Sequence, residues 1–285
     1  MDDTIANIGY FFQRGYYDGL TLEDFTDSSS EKKLQKKYFN TQNKILKNSS
    51  RVKVPKPEQI YKDNCTCTIP LTTIYPGLIT GIGMIHASGM QGEAKLGMAF
   101  DYTSGLPYIP GSSVKGLLRS MFPILPNNKP VEKRSKEEKE YMSNRCQYIK
   151  EECRKNELPV LKDSDVEKLA QIIFEGRSFG DKNDFLSIYD RDIFFDAYIG
   201  EGDYREKGIL DFDYITPHRN PLKNPEPNMF LKILPKVTFD FTFRLRDSKL
   251  ESGCFKADDK KILFQAILTT VGIGAKTNVG YGQLK

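Results

Sequence analysis

No run of apolar residues approaches the length of a membrane span, so no membrane-spanning helix is expected. Net charge is also scarce: 42 Lys and Arg against 38 Asp and Glu leave only +4. Bulk charge of that size excludes strong non-specific attraction to a polyanion, which must instead be held by local clusters. Histidine is limited to His86 and His218. The five cysteines, Cys65, Cys67, Cys146, Cys153 and Cys254, are odd in number and scattered. That pattern argues against a disulfide framework and fits a reducing, cytoplasmic setting. Cys65-x-Cys67 has no second pair, so strand packing is its expected role; neither a metal nor a cofactor is expected. Tryptophan is absent, and the aromatic content comes from 18 Phe and 15 Tyr. The acidic start Met1-Asp2-Asp3-Thr4 is not that of a secretory signal. At 285 residues the chain can build one large domain, or one domain with insertions, around a real core.

What is present in quantity is glycine at two places that suit anions. In the stretch from Val271 to Gly282, Gly272, Gly274, Gly280 and Gly282 surround Lys276, Thr277 and Asn278. Glycine permits positive φ and close approach to bare N–H groups, successive N–H groups form a concave anion site, and Lys276 adds a full charge. A tight loop before a terminal strand would use the same glycines for its turn alone. The second place is the stretch from Pro107 to Ser120. Pro110-Gly111 signals a turn and Ser112 or Ser113 a helix start. Val114, Leu117, Leu118 and Met121 then form an apolar stripe, with Ser112, Lys115 and Arg119 on the other side. A helix N-terminus flanked by two cations attracts anions; an ordinary amphipathic helix with solvated cations has the same pattern.

Neither place is a nucleotide-hydrolysing P-loop, which requires G-x-x-x-x-G-K-[ST] between a strand and a helix. Ala275 separates Gly274 from Lys276, no helix follows the loop, and Lys115 precedes Gly116 where that motif needs Ser or Thr. Two phosphate-type segments without nucleotide machinery fit a polymer backbone better than a nucleotide.

The run Pro110-Gly-Ser-Ser-x-Lys-Gly-x-x-Arg119, with the glycine loop far downstream, resembles the RAMP superfamily of CRISPR proteins and, within it, the sixth-subunit branch of the type III-B (Cmr) effector complex. The stretches 77–83, 193–198 and 215–219 fall in that family's order, and the resemblance covers roughly residues 65–285. It implies an α+β, ferredoxin-like and RRM-related fold that binds guide RNA through its backbone, within an assembly of several subunits that meets target RNA. It implies a non-catalytic subunit near the 3′ end of the guide. In a sister subunit an aspartate after the first strand cuts target RNA. Glu93 and Asp101 lie in the corresponding region here, but neither matches that context.

Along the chain, residues 1–60 read as a helical N-terminal extension and 61–285 as the RAMP-like domain, with a charged helical insertion at about 126–165. The extension offers an apolar face to its own domain or to a neighbour. Residues 67–82 read as a first strand placed at an edge or bulge by Pro70 and Pro76. The glycine-rich 82–105 reads as a long loop, lying along RNA or folded as a small hairpin. The insertion reads as solvated helices, with a basic RNA patch as the alternative. A helix is expected at 166–174 and strands at 185–188 and 192–199, the latter with Ile193, Phe195, Ala197 and Ile199 on one face. Val237–Leu245 alternates strictly and predicts a half-buried strand, and Asp258–Val271 predicts a core helix. The order strand, helix, strands, helix, strand is a split βαβ layout.

An RRM that reads bases carries an Arg/Lys-Gly-Phe-x-Phe type strand, and none is present. Backbone contact is therefore expected, from Lys115, Arg119 and Lys276 and from main-chain N–H groups around Gly111–Ser113 and Gly274–Thr277. Asn278, His86, His218 and Arg219 complete the candidate RNA-binding set. His86 or His218 with Glu93 or Asp101 would supply the acid and base of an RNA endonuclease, the alternative activity.

Overall fold

The phenylalanines of the 237–245 stretch build the centre of the sheet. The computed structural model describes residues 5–21, 29–55, 66–81, 83, 86, 88–125, 131–177, 185–215 and 227–285. Its elements in chain order are α1 (Ile8–Gln13), α2 (Ser29–Ser49), β1 (Lys53–Val54), β2 (Thr66–Thr72), α3 (Gly111–Met121), α4 (Lys136–Lys155), α5 (Asp163–Ala170), β3 (Ile193–Phe194), β4 (Tyr198–Ile199), β5 (Gly202–Asp203), β6 (Leu210–Ile215), β7 (Asn228–Ile233), β8 (Thr238–Arg244), β9 (Ser248–Leu250), β10 (Gly253–Phe255) and α6 (Ala257–Val271).

Central strand β8 pairs antiparallel with β2 from Thr66 opposite Arg244 to Thr72 opposite Thr238. On its other side it pairs with β3 and β4. Residues 283–285 close the far edge: Thr72 N–H donates to Lys285 O (2.9 Å) and Ile74 N–H to Gln283 O (3.1 Å). The spatial order is thus 283–285, β2, β8, then β3 and β4, the split βαβ arrangement expected from the sequence. Thr72 directs its N–H outward, and Pro70, two residues earlier, faces the same open side, where a missing donor costs nothing. Phe239, Phe241 and Phe243 of β8 are fully buried. The ring of Phe264 on α6 lies 5.5 Å from that of Phe243. The opposite face of this sheet carries hydroxyl pairs, Thr68 with Thr242 (3.2 Å) and Thr72 with Thr238 (2.9 Å).

The 192–199 segment departs from the expected single strand. Four steps separate Phe194 from Tyr198, whereas three separate their partners Phe243 and Asp240. The extra residue is a β-bulge, and it flips the alternation. Phe194, rather than Phe195, therefore joins the core, 5.8 Å from each of Phe174, Phe243 and Phe264. Ala197 and Ile199 are buried as expected. Residues 185–188 form no strand; Phe185 makes a single bridge to Arg177, and Ile188–Asp190 is a 3-10 turn. The expected 166–174 helix begins earlier, at Asp163, and ends in a wide turn, Gln171–Glu175. The hairpin of β6 and β7 was not foreseen.

The N-terminal helices dock on their own chain. Phe12, Tyr16, Phe39 and Leu46 are fully buried. Their seat is the glycine-rich segment: Asn43 Nδ2 donates to Gly92 O (3.0 Å), Ala94 N–H to Tyr16 Oη (3.0 Å) and Gly9 N–H to Gly105 O (3.1 Å). Met90, Ala94, Met98 and Phe100 of that segment are buried, so much of it packs inward, and only its end pairs back as a small hairpin, with Phe100 bridged to Pro107 around the exposed tip at 102–104. Helix α4, expected to be solvated, buries Met142, Cys146, Ile149 and Cys153 along one stripe and packs against α3, α5 and α6. Its Lys, Arg and Glu residues occupy mainly the outer faces. Fully buried Lys260 on α6 donates to Asp192 Oδ2 (2.6 Å), tying that helix to the approach of β3.

Candidate nucleic-acid interface

The two glycine-bearing segments meet. A cleft of about 270 Å³ is lined by Thr80 and Gly81, by Ile109, Ser113 and Leu117, and by Ile273, Gly274 and Ala275. Its three walls are the chain after β2, the first turns of α3, and the loop after α6.

The loop after α6 is held by backbone bonds: Ile273 N–H to Gly282 O (2.8 Å), Ala275 N–H to Ile79 O (2.9 Å) and Gly282 N–H to Gly77 O (2.8 Å). Its four glycines all have positive φ, as the sequence requires. At Gly274 (φ 99°) a Cβ would lie 2.4 Å from Ile79 O, so close approach of two backbones demands glycine there independently of any ligand. Beyond this anchor, Lys276 takes a left-handed conformation and starts the 3-10 turn Thr277–Val279. The N–H groups of Lys276, Thr277 and Asn278 donate to no described residue, and the Lys276 ammonium makes no ion pair among the described residues. Asn278 is exposed, and Lys276 and Thr277 are half-buried. Three consecutive N–H groups without an acceptor among the described residues thus lie beside one cation, the donor set that an anion site uses.

Helix α3 is positioned by the bulge. Ile109 and Ala197 exchange N–H to carbonyl bonds of 2.9 and 2.8 Å, and Asp196 Oδ1 accepts the Gly111 N–H (2.6 Å). A Cβ at Gly111 would lie 2.4 Å from Phe194 O, so the helix start rests directly on the bulged strand. The Ser113 and Val114 N–H groups bond Pro110 O. The expected anion site at Gly111–Ser113 is therefore already partly filled, with a carboxylate on the positive helix end. The Ser112 N–H and the exposed Ser112 and Ser113 hydroxyls remain available.

The cations of α3 face away from the cleft. Lys115 lies two residues, about 200° around the helix, from Ser113. Its Nζ sits 5.7 Å over the Phe194 ring, and burial followed by nearby Arg119 and Arg191 lowers its pKa. Arg119 reaches Glu175 Oε1 at 3.5 Å. Lys115, Arg119 and Arg191 thus make a separate basic ridge, and the two halves of the motif meet through Ser113 and Gly274, not through Lys115 and Lys276.

His86 is placed in the interior, which corrects its assignment to an RNA surface. It is 2% exposed, with Nδ1 2.9 Å from Ala94 O and Nε2 2.8 Å from Phe12 O. Its ring stacks on Tyr16 at 4.7 Å, and burial lowers its pKa. Glu93 is equally buried and accepts from Tyr17 Oη and Ser88 N–H, while Asp101 caps the turn at Ser104. Two members of the alternative acid–base set are thereby sealed from solvent. His218 and Arg219 lie outside the described residues, as does Cys65. Among the described residues no group of His, Cys, Asp and Glu is arranged to hold a metal, and no helix is long and apolar enough to cross a membrane. Thr80, Tyr108, Asp196 and Tyr198 were missed in the sequence: Thr80 and Tyr108 carry no local signal, and Asp196 and Tyr198 are set beside the cleft by the bulge; the acidic residue between two apolar strand segments was the one visible signal.

Comparison with known proteins places the chain in a family. A relative in Pyrococcus furiosus, the CRISPR system Cmr subunit Cmr6, is 29% identical over 209 residues, which is 63% of this chain and 58% of the relative. The match therefore spans less than two thirds of that protein's length. A chain in the cryo-EM structure of a type III-B Cmr-beta complex bound to cognate target RNA superposes with a TM-score of 0.52 at 21% identity, covering 98% of this chain and 85% of that one. The family model for the RAMP superfamily matches residues 70–285, which takes in the end of β2, both glycine-bearing segments and the other lanes of the sheet. This chain belongs to the RAMP superfamily.

Proposed function

We propose that this chain is a non-catalytic RNA-binding subunit of a type III-B CRISPR effector complex. It holds guide RNA near its 3′ end by sequence-independent backbone contacts and supports interference with target RNA, alongside the other Cmr subunits in the cytoplasm. The observation that carries this reading is the junction of the two motifs: one cleft lined by Ser113 from the first and by Gly274 and Ala275 from the second, with Lys276 and its unbonded N–H next in sequence. Such groups bond phosphate oxygens and carry no sequence information, as a subunit accepting any guide needs. The relatives' membership of Cmr systems supports the choice of assembly.

Native purification tests the assembly: a short RNA and partner subunits should travel with the chain, and a bare monomer would overturn the proposal. The grip is tested by titrating salt. Lys276→Ala should reduce the slope of log K against log salt by about 0.7, the value for one phosphate on a single strand, equally for unrelated RNA sequences. A loss confined to some sequences would contradict backbone recognition.

A further inference from the structure

Beside the cleft, a pair of tyrosines has no role in backbone recognition. Ile109 and Ala197 form a reciprocally bonded pair whose side chains are buried. Their neighbours Tyr108 and Tyr198 are therefore directly opposed on the other face, in the closer, non-hydrogen-bonded register. Their rings lie 5.9 Å apart at an interplanar angle of 21°, and Tyr198 is 46% exposed. Tyr108 is next in sequence to the cleft residue Ile109, and its carbonyl accepts from the cleft residue Thr80 (3.1 Å).

The charge around the pair is the reverse of that on the glycine loop. Asp196 Oδ2 lies 3.5 Å from Tyr198 Oη, and Asp196 and Asp101 both act electrostatically on the two phenols. Burial first, then these carboxylates, raises both pKa values, so the rings are neutral. Phosphate is repelled there, while carboxylates accept hydrogen bonds from the exocyclic amines of bases. A nucleotide has an anionic end and a flat aromatic end. The cleft and the tyrosines offer one surface for each, side by side.

We propose that Tyr108 and Tyr198 form a stacking platform for nucleobases of single-stranded RNA whose backbone lies along the cleft. This rests on the backbone reading above and adds to it a base contact that is tolerant of sequence, since every base has a π-face.

The full chain is titrated with a single-stranded oligoadenylate and with an abasic ribose-phosphate strand of equal length. The wild type should prefer oligoadenylate by roughly 5- to 150-fold per stacked base. Tyr108→Leu/Tyr198→Leu should lose that preference with an unchanged salt slope, and Tyr108→Phe/Tyr198→Phe should keep it. Equal binding of both strands by the wild type would overturn the platform while leaving the backbone reading intact; binding of neither would sink both. A leucine pair that retains the preference, or that loses only association with a protein subunit, would also overturn it. Should the leucine pair not fold, photocrosslinking of 4-thiouridine RNA to the wild type decides: an adduct on Tyr108 or Tyr198 supports the platform, and adducts only elsewhere exclude it.

Discussion

Burial decides what His86 can do. Both ring nitrogens face carbonyls, and a neutral imidazole has one N–H to donate, so it satisfies one of them and serves as packing between Phe12 and Tyr16. Desolvation holds its folded pKa below the ordinary value, whereas the unfolded side chain titrates near 6.5. Below about pH 6.5 the unfolded state therefore binds more protons, and stability present at neutral pH falls as the pH drops toward the folded pKa. Urea melts between about pH 7 and pH 5 should show this loss in the wild type, and His86→Gln should flatten it. Equal pH dependence in both proteins would mean that His86 does not contribute. In sequence His86 looked like a loop histidine, because nothing local shows that Tyr16, some seventy positions earlier, covers it. Lys115 carries the same lesson: its spacing placed it off the apolar stripe, but not on which of the two remaining sides of α3.

At the scale of elements, the clearest periodicities were legible and the registers were not. Strand β8 follows its alternation residue by residue, and α6 its apolar positions, because each signal is local. The bulge at 195–197 is a property of two strands together, so the sequence of one cannot show it, and with it went Asp196 and the tyrosine pair. Lys260 was hidden among the solvated cations of its helix, yet it and Asp192 form a buried ion pair between α6 and the sheet. Lys260→Met should cost about 3–5 kcal/mol by leaving the carboxylate buried with the Arg246 N–H but without its ammonium, whereas Lys260→Met/Asp192→Asn should cost clearly less than the two single changes added. A double-mutant cycle in denaturant measures the difference; strict additivity would show that the pair is not coupled.

For the molecule as a whole, one hydrophobic cluster runs from Ile8 to Leu284. The extension is part of that core. Phe12, Tyr16, Phe39 and Leu46 each contribute on the order of 2 kcal/mol by burial, together comparable to the whole net stability of a typical domain. Removal of residues 1–50 should leave a chain that aggregates or binds hydrophobic dye and shows no cooperative melt. A truncated chain melting like the full one would show that the extension is dispensable to folding.

The far lane of the sheet has a consequence for biosynthesis. Residues 72–74 leave the ribosome about two hundred positions before residues 283–285 that pair with them, and the loop after α6, made shortly before those, supplies the third wall of the cleft. Nascent chains paused between Tyr198 and the end of α6 carry α3 and both tyrosines but lack that third wall. Under the function proposed above, RNA capture would wait until translation through the glycine loop is done, and half-made subunits would not compete for RNA.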